Sequence, residues 1–282
     1  MTRYFLGCAG AYLALSCTSP AIPDEGITPT LRIAPTPTGH TVATRFEAPA
    51  GCTRTPLADS TFGSYLRALP VKPEGAPVHL YDGSVKHRQD VHAAVVDLSV
   101  GKRDLQQCAD AVMRLRAEHL FAQGRYEDIH FRFTNGFEAP FSRWAKGDRI
   151  KVQGDRCDWK LKEGVPGFTH DNLLAYLQLV FTYAGTLSLS KELKPAHALP
   201  LEPGDVFIHG GSPGHAMLVL DVARGPDGRT FFLLAQSYMP AQEVHVVRNL
   251  RRPALGAWFE LNDGDELVTP EWTFSWSERK RW

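Results

Sequence analysis

An α+β fold is predicted by three features: helix-period apolar stripes before residue 185, short β-rich runs punctuated by Gly and Pro after residue 205, and no internal repeat. The spacing of Leu105, Cys108, Val112 and Leu115 predicts a helix over 104–123, with Asp104 as N-cap and Gln107 completing a capping box. Leu173, Leu174, Leu177, Val180, Phe181 and Ala184 form one apolar face of a second helix over 171–184, which Gly185 ends. Strands are expected at 91–100 and 128–134. Four more, at 206–209, 215–223, 230–236 and 243–247, read as an antiparallel meander packed on the first helix.

The 282 residues carry 31 Lys+Arg against 31 Asp+Glu, and 43% are hydrophobic, an ordinary globular balance. A neutral chain without a long Lys/Arg run lacks the electrostatic footprint of a nucleic-acid binder. At the start, Arg3 precedes an apolar stretch from Tyr4 to Leu15 that is too short for a permanent membrane anchor. It ends in Leu13-Ala14-Leu15-Ser16-Cys17, which resembles a bacterial lipobox. The expected organisation is therefore a lipoprotein signal peptide over 1–16, a lipid on Cys17, a Pro/Thr-rich tether over 17–45 and a single α+β domain over 46–282. An ordinary signal peptide cut nearby is the alternative. Either way the protein is exported, and with the lipid it is anchored to a membrane.

Five cysteines sharpen this picture. Cys8 leaves with the signal and Cys17 carries lipid, so Cys52, Cys108 and Cys157 remain in the folded body. Cys52 and Cys157 both lie in turn-rich polar surroundings and are expected to pair in an oxidising compartment, leaving Cys108 over.

Several strings, LYDGSVK (80–86), DLQQCADAVMRLRAEHLF (104–121), FTNGF (133–137), FTYAGTLSL (181–189) and LLAQSYMPAQE (233–243), resemble those of a family of bacterial lipoproteins, the domain of unknown function 4846. That resemblance implies a bacterial envelope protein and brings no catalytic residues with it. A second one is more chemical. The string GDVFIHGGSPGHAMLVLDV (204–222) is similar to the region around the active histidine of NlpC-type and CHAP-type cysteine hydrolases. It implies a papain-like, NlpC-like architecture, with helices on an antiparallel meander or small barrel, and hydrolysis of amides in peptides or peptidoglycan.

A thiol hydrolase needs a stabilised thiolate, a histidine to move the proton and a polar group to orient the imidazole. Cys108, His215 and Gln236 occur in the matching chain order. If the hairpin turn is centred on Pro226-Asp227, His215 faces Tyr238 and Met217 faces Gln236, which makes Gln236 a diagonal neighbour of His215 on one sheet face. Tyr238 is then a substrate-binding candidate. Cys108 itself has two readings: nucleophile, or core cysteine about one turn inside a helix on its apolar stripe. The related hydrolases typically have Asp-Cys-Ser or Asp-Cys-Gly, where this chain has Gln107-Cys108-Ala109-Asp110.

Other residues are read the same two ways. Asp82 either caps a Tyr81-Asp82-Gly83-Ser84 turn or lines a substrate cleft. His209 and His215 could share a metal with Asp221 or Cys108, but no His-x-x-x-His or Cys-x-x-Cys spacing occurs, and neither a metal nor a cofactor is expected. Trp272, Phe274 and Trp276 alternate as one buried face of a last strand, or offer stacking surfaces to a glycan. The rival to a hydrolase is thus an inactive envelope module that binds a glycan or a partner protein.

Overall fold

The computed structural model describes residues 40–261, 264 and 266–282. The expected signal peptide, Cys17 and the tether as far as residue 39 lie outside the described residues. Six α-helices occur among the described residues: α1 (Val42–Arg45), α2 (Phe62–Arg67), α3 (Cys108–Ala122), α4 (Phe141–Ala145), α5 (His170–Tyr183) and α6 (Thr186–Glu192). The strands are β1 (Thr53–Arg54), β2 (His92–Val95), β3 (His130–Arg132), β4 (Glu138–Pro140), β5 (Arg149–Gln153), β6 (Arg156–Lys160), β7 (Lys194–Pro195), β8 (Val206–His209), β9 (His215–Arg224), β10 (Thr230–Gln236), β11 (His245–Val247), β12 (Trp258–Leu261), β13 (Glu266–Val268), β14 (Thr273–Ser275) and β15 (Arg279–Arg281).

The architecture is α+β, with one large antiparallel sheet in the order β2-β11-β10-β9-β8-β15-β7 and β1 and β12 added beside β9 and β10. The expected meander is its centre, β8-β9-β10-β11, and α3 lies across β9. Three two-stranded ribbons, β3/β4, β5/β6 and β13/β14, stand outside that sheet.

The central strands read as almost unbroken apolar runs because both sheet faces are covered. Ala216, Leu218 and Leu220 of β9 join Val112 and Leu115 of α3 in one apolar cluster. Met217 and Val219 point the other way, into a second cluster with Leu267 and Phe274. Of the expected last strand, Phe274 alone is fully enclosed, while Trp272 and Trp276 are partly buried. The β9/β10 register is the expected one at its site end, where Leu218 opposes Ala235. Toward the turn it shifts by one, with Asp221 opposite Leu233, and Leu220 occupies the bulge. The bulge resets the alternation so that Val222 rejoins the face of Val219.

Asp221, beside the bulge, is fully buried and is held from two separate elements. Arg54 Nε of β1 meets Oδ2 at 2.6 Å, and Arg67 Nη2 of α2 meets Oδ1 at 2.5 Å. The metal role considered for Asp221 is therefore replaced by a structural one: its charge is already compensated by two guanidinium groups.

Three expectations are corrected. The tether does not run to residue 45, because Thr41 caps α1 and Val42 is buried, its N–H donating to Leu69 O at 2.9 Å. The first long helix starts at Cys108 rather than at residue 104. Asp104 is not its cap: its carboxylate accepts the Ala241 N–H at 2.6 Å and Gln107 Nε2 at 3.1 Å, and the box is closed instead by Asp110 Oδ2 accepting the Gln107 N–H at 3.0 Å. Cys52 and Cys157 are both free thiols. Cys52 sits near Gly225 in the β9/β10 turn, whereas Cys157 on β6 accepts a hydrogen bond from Asn135 Nδ2 at 3.2 Å, so each is engaged locally.

Substituting Asp221→Ala leaves two arginines partly buried without their counter-charge, and such a loss costs about 3–5 kcal/mol. Urea unfolding should show that destabilisation; a change below about 1 kcal/mol would mean that the Asp221 pairs contribute little.

Candidate functional site

The loop before β9 forces the chain to turn sharply, and Gly214 permits it. A Cβ there would lie 2.4 Å from Thr186 Oγ1 and 2.5 Å from Gly211 O, inside the contact limit for any side chain. Thr186, at the start of α6, in turn donates to Gly211 O at 3.0 Å and so ties the loop to the helix. His215 follows as the first residue of β9, buried to 1% exposure. Its ring lies 4.9 Å from that of Tyr238, 5.3 Å from Trp272 and 5.9 Å from Phe274, centroid to centroid.

One chain of hydrogen bonds sets the protonation of this ring. Lys86 Nζ contacts Glu271 Oε1 at 2.8 Å, both side chains being largely buried. The Glu271 carboxylate accepts from Gln236 Nε2 at 2.7 Å, which orients the amide. Gln236 Oε1 then faces His215 Nε2 at 2.8 Å, so that nitrogen carries the proton. The second acceptor of Gln236 Nε2 is His245 Nε2 at 3.2 Å, whose Nδ1 donates to Glu243 O at 2.9 Å. His215 Nδ1 is left with its lone pair and has no hydrogen-bond partner among the described residues. Burial pushes the His215 imidazole down to about 4; the Gln236 bond opposes this and Lys86 adds to it. His245 is likewise pushed down to about 3, chiefly by burial.

Cys108 supplies the thiol. As the first residue of α3 it stands where backbone N–H groups have no intrahelical acceptor, and not one turn deeper as the capping-box reading expected. Burial, and then the Asp110 carboxyl, push the thiol up to about 11, while the N–H groups of Ala109, Ala216 and Cys108 itself favour the thiolate. Ala216 follows His215 on β9, so thiol and imidazole belong to touching segments. Asp110 is raised to about 8 by burial, against the pull of the Gln107 N–H. Its Oδ1 is enclosed and has no hydrogen-bond partner among the described residues.

Cys108, Gln107 and Asp110 line a cleft of about 400 Å³, closed on its other sides by Phe181, Thr186, the 211–214 loop and the exposed Met239. Of the residues singled out by sequence, His215, Gln236 and Tyr238 meet one another, while Cys108 lines the cleft from the helix packed on β9 and makes no hydrogen bond to His215 among the described residues. The structure does not bring Asp82 to the cleft. That carboxylate accepts from the N–H and hydroxyl of Ser84 at 2.9 and 2.6 Å, in an exposed turn, which lowers its pKa and satisfies it locally. His209 is also engaged elsewhere, with Glu278 Oε1 at 2.5 Å. Among the described residues no group of three His, Cys, Asp or Glu side chains could hold a metal ion.

Sequence reasoning missed Lys86, Glu271, His245 and Asp110. The first three are joined only through the tertiary fold and leave no local signal. Asp110 does leave one, since it stands three residues after Gln107, the capping-box spacing.

Asp110 gives the thiol a distinctive pH response. Below about 8 its carboxyl is protonated and adds no charge; above that the carboxylate opposes the Cys108 thiolate. Alkylation of Cys108 by iodoacetamide should therefore proceed equally in native protein and Asp110→Asn at lower pH, and faster in Asp110→Asn at higher pH. Equal rates throughout would show that the carboxyl does not act on the thiol.

Comparison with curated proteins and with solved structures gives no match. A family model matches residues 42–281, from the first described helix to the last strand, and the chain therefore belongs to the family described as domain of unknown function (4846).

Proposed function

We propose that this protein is a bacterial envelope lipoprotein whose domain has a papain-like, NlpC-like design and hydrolyses amide bonds in peptides or peptidoglycan. The observation that carries the reading is the 2.8 Å contact between His215 Nε2 and Gln236 Oε1, which leaves Nδ1 as a base beside the segment that meets the Cys108 thiol. The order of elements supports it: a cysteine at a helix start, a histidine at a strand start and an orienting amide on the next strand.

In the reaction, Cys108 Sγ attacks the substrate carbonyl carbon while its proton moves to His215 Nδ1. The backbone N–H of Cys108, at the helix start, is the donor available to the developing oxyanion. Imidazolium returns the proton to the leaving nitrogen as the C–N bond breaks, giving an amine and a thioester. Water then attacks the thioester, loses its proton to His215, and releases the acid and the thiol. Gln236 holds the ring and Tyr238 covers its face.

The raised thiol and lowered imidazole make the resting pair neutral, so His215 acts as a general base and not as half of a standing ion pair. Its neutral form is the active one. kcat/KM should therefore hold steady through the neutral range and fall only as pH drops toward about 4, where His215 becomes protonated. Amine release from peptides and muropeptides, followed by mass spectrometry, should vanish in Cys108→Ala, drop by about 100–10,000-fold in His215→Ala and drop less in Gln236→Ala. Turnover that survives Cys108→Ala would sink the proposal.

The same burial supports a second reading, an inactive module that uses the cleft to bind a glycan or partner protein, and a folded protein without any amine release would favour it. The lipid anchor is tested separately. Cys17→Ser should release the protein from membranes, and unchanged membrane association with no lipid on the mature N-terminus would exclude a lipoprotein.

A further inference from the structure

A second cavity, of about 100 Å³, adjoins the cleft. Phe181 belongs to both linings, and the chain steps from Gln106 in one to Gln107 in the other. Its apolar side is made by Leu105, Leu174, Leu177 and Phe181. The polar side is of one sign: Lys102, Arg103 and Arg114 line it, and no Asp or Glu does.

These groups differ in what they have left to offer. Arg114 is buried and committed, its Nε to Glu118 Oε1 at 2.7 Å and its Nη1 to Gln106 Oε1 at 3.1 Å. The second contact fixes which end of the Gln106 amide accepts. Gln106 Nε2 is consequently a donor, and it is buried with no hydrogen-bond partner among the described residues, on a side chain 2% exposed. A buried donor left unpaired costs about 1–3 kcal/mol, so a ligand acceptor there relieves a standing cost. Lys102 and Arg103 are exposed, and no ion pair or side-chain hydrogen bond engages either among the described residues.

An apolar side, one oriented donor and two free cations fit a carboxylate carried on a short apolar stem. We propose that this cavity is a subsite that takes a carboxylate of the peptide whose amide lies at Cys108. The proposal rests on the hydrolase reading for its substrate, but the subsite itself is measurable as binding, without turnover. The carboxylate belongs either to an acidic side chain or to the peptide's own C-terminus, and the two are separable.

The test uses Cys108→Ala protein, so that nothing is consumed, and fluorescence anisotropy. The probes are fluorescein-labelled alanine pentapeptides, amidated at the C-terminus, with a Glu scanned through each position and a Gln counterpart for each. An all-alanine peptide with a free C-terminal acid is compared with its amide. Either one Glu position or the free acid should bind about tenfold more tightly than its neutral partner, the range for a charge-assisted contact. That preference should shrink with added salt and disappear in Lys102→Ala/Arg103→Ala, which changes only exposed side chains. No carboxylate preference at any position, no binding at all, or a preference that survives the double substitution would overturn the subsite. A preference found together with native protein that hydrolyses none of the peptides would retain the subsite and reject the hydrolase.

Discussion

The hydrogen bond from Gln236 Nε2 to Glu271 Oε2, 2.7 Å long, determines the chemistry of everything around it. Glutamine has a donor end and an acceptor end, and on its own gives no reason to present one or the other to a histidine. The carboxylate, pinned by Lys86, removes that freedom. With the donor end committed, the acceptor end meets His215, and the ring must hold its proton on Nε2 and keep Nδ1 basic. Reversing the amide would move the His215 proton to Nδ1 and set the amide oxygen against the Glu271 carboxylate. The oxygen–carboxylate contact is repulsive in a site where burial weakens screening.

A polar chain of this kind needs a rigid frame, and the sheet supplies one by burying both faces. The two central carboxylates extend that frame. Asp221, at the bulge of β9, draws in Arg54 and Arg67 from the start of the domain. Asp205, just before β8, is fully buried and draws in Arg279 and Arg281 from its end, Arg281 Nε at 2.5 Å. Each carboxylate is served by two guanidinium groups, so the desolvation cost of burying it is met by fixed donors. The strands that carry His215 and its loop are thereby tied to both ends of the fold.

Much of this was legible in advance because short-range rules govern it. The β8 and β10 limits follow from apolar runs bounded by Gly and Pro, and α5 follows from its apolar stripe, which placed it one residue late at each end. The pairing that puts Tyr238 and Gln236 beside His215 was legible as well, although by two compensating shifts: near the turn the pairing is offset by one position from the expected one, and the bulge at Leu220 restores the register. The start of α3 was not. Asp104 has the composition of an N-cap, but its carboxylate is taken by Ala241, 137 positions away, and a local rule does not see that competitor. Lys86 and Glu271, 185 positions apart, are invisible for the same reason.

The polar chain also bears on when the site comes into being. Its members lie at residues 86, 215, 236, 245 and 271, so the chain of contacts is not complete until the last of them has been made. A nascent chain that has reached His215 holds the thiol and the imidazole but not the carboxylate that orients their helper. The polar chain is thus complete only after synthesis has passed Glu271 and the long-range strand pairs have closed, a slow kind of topology.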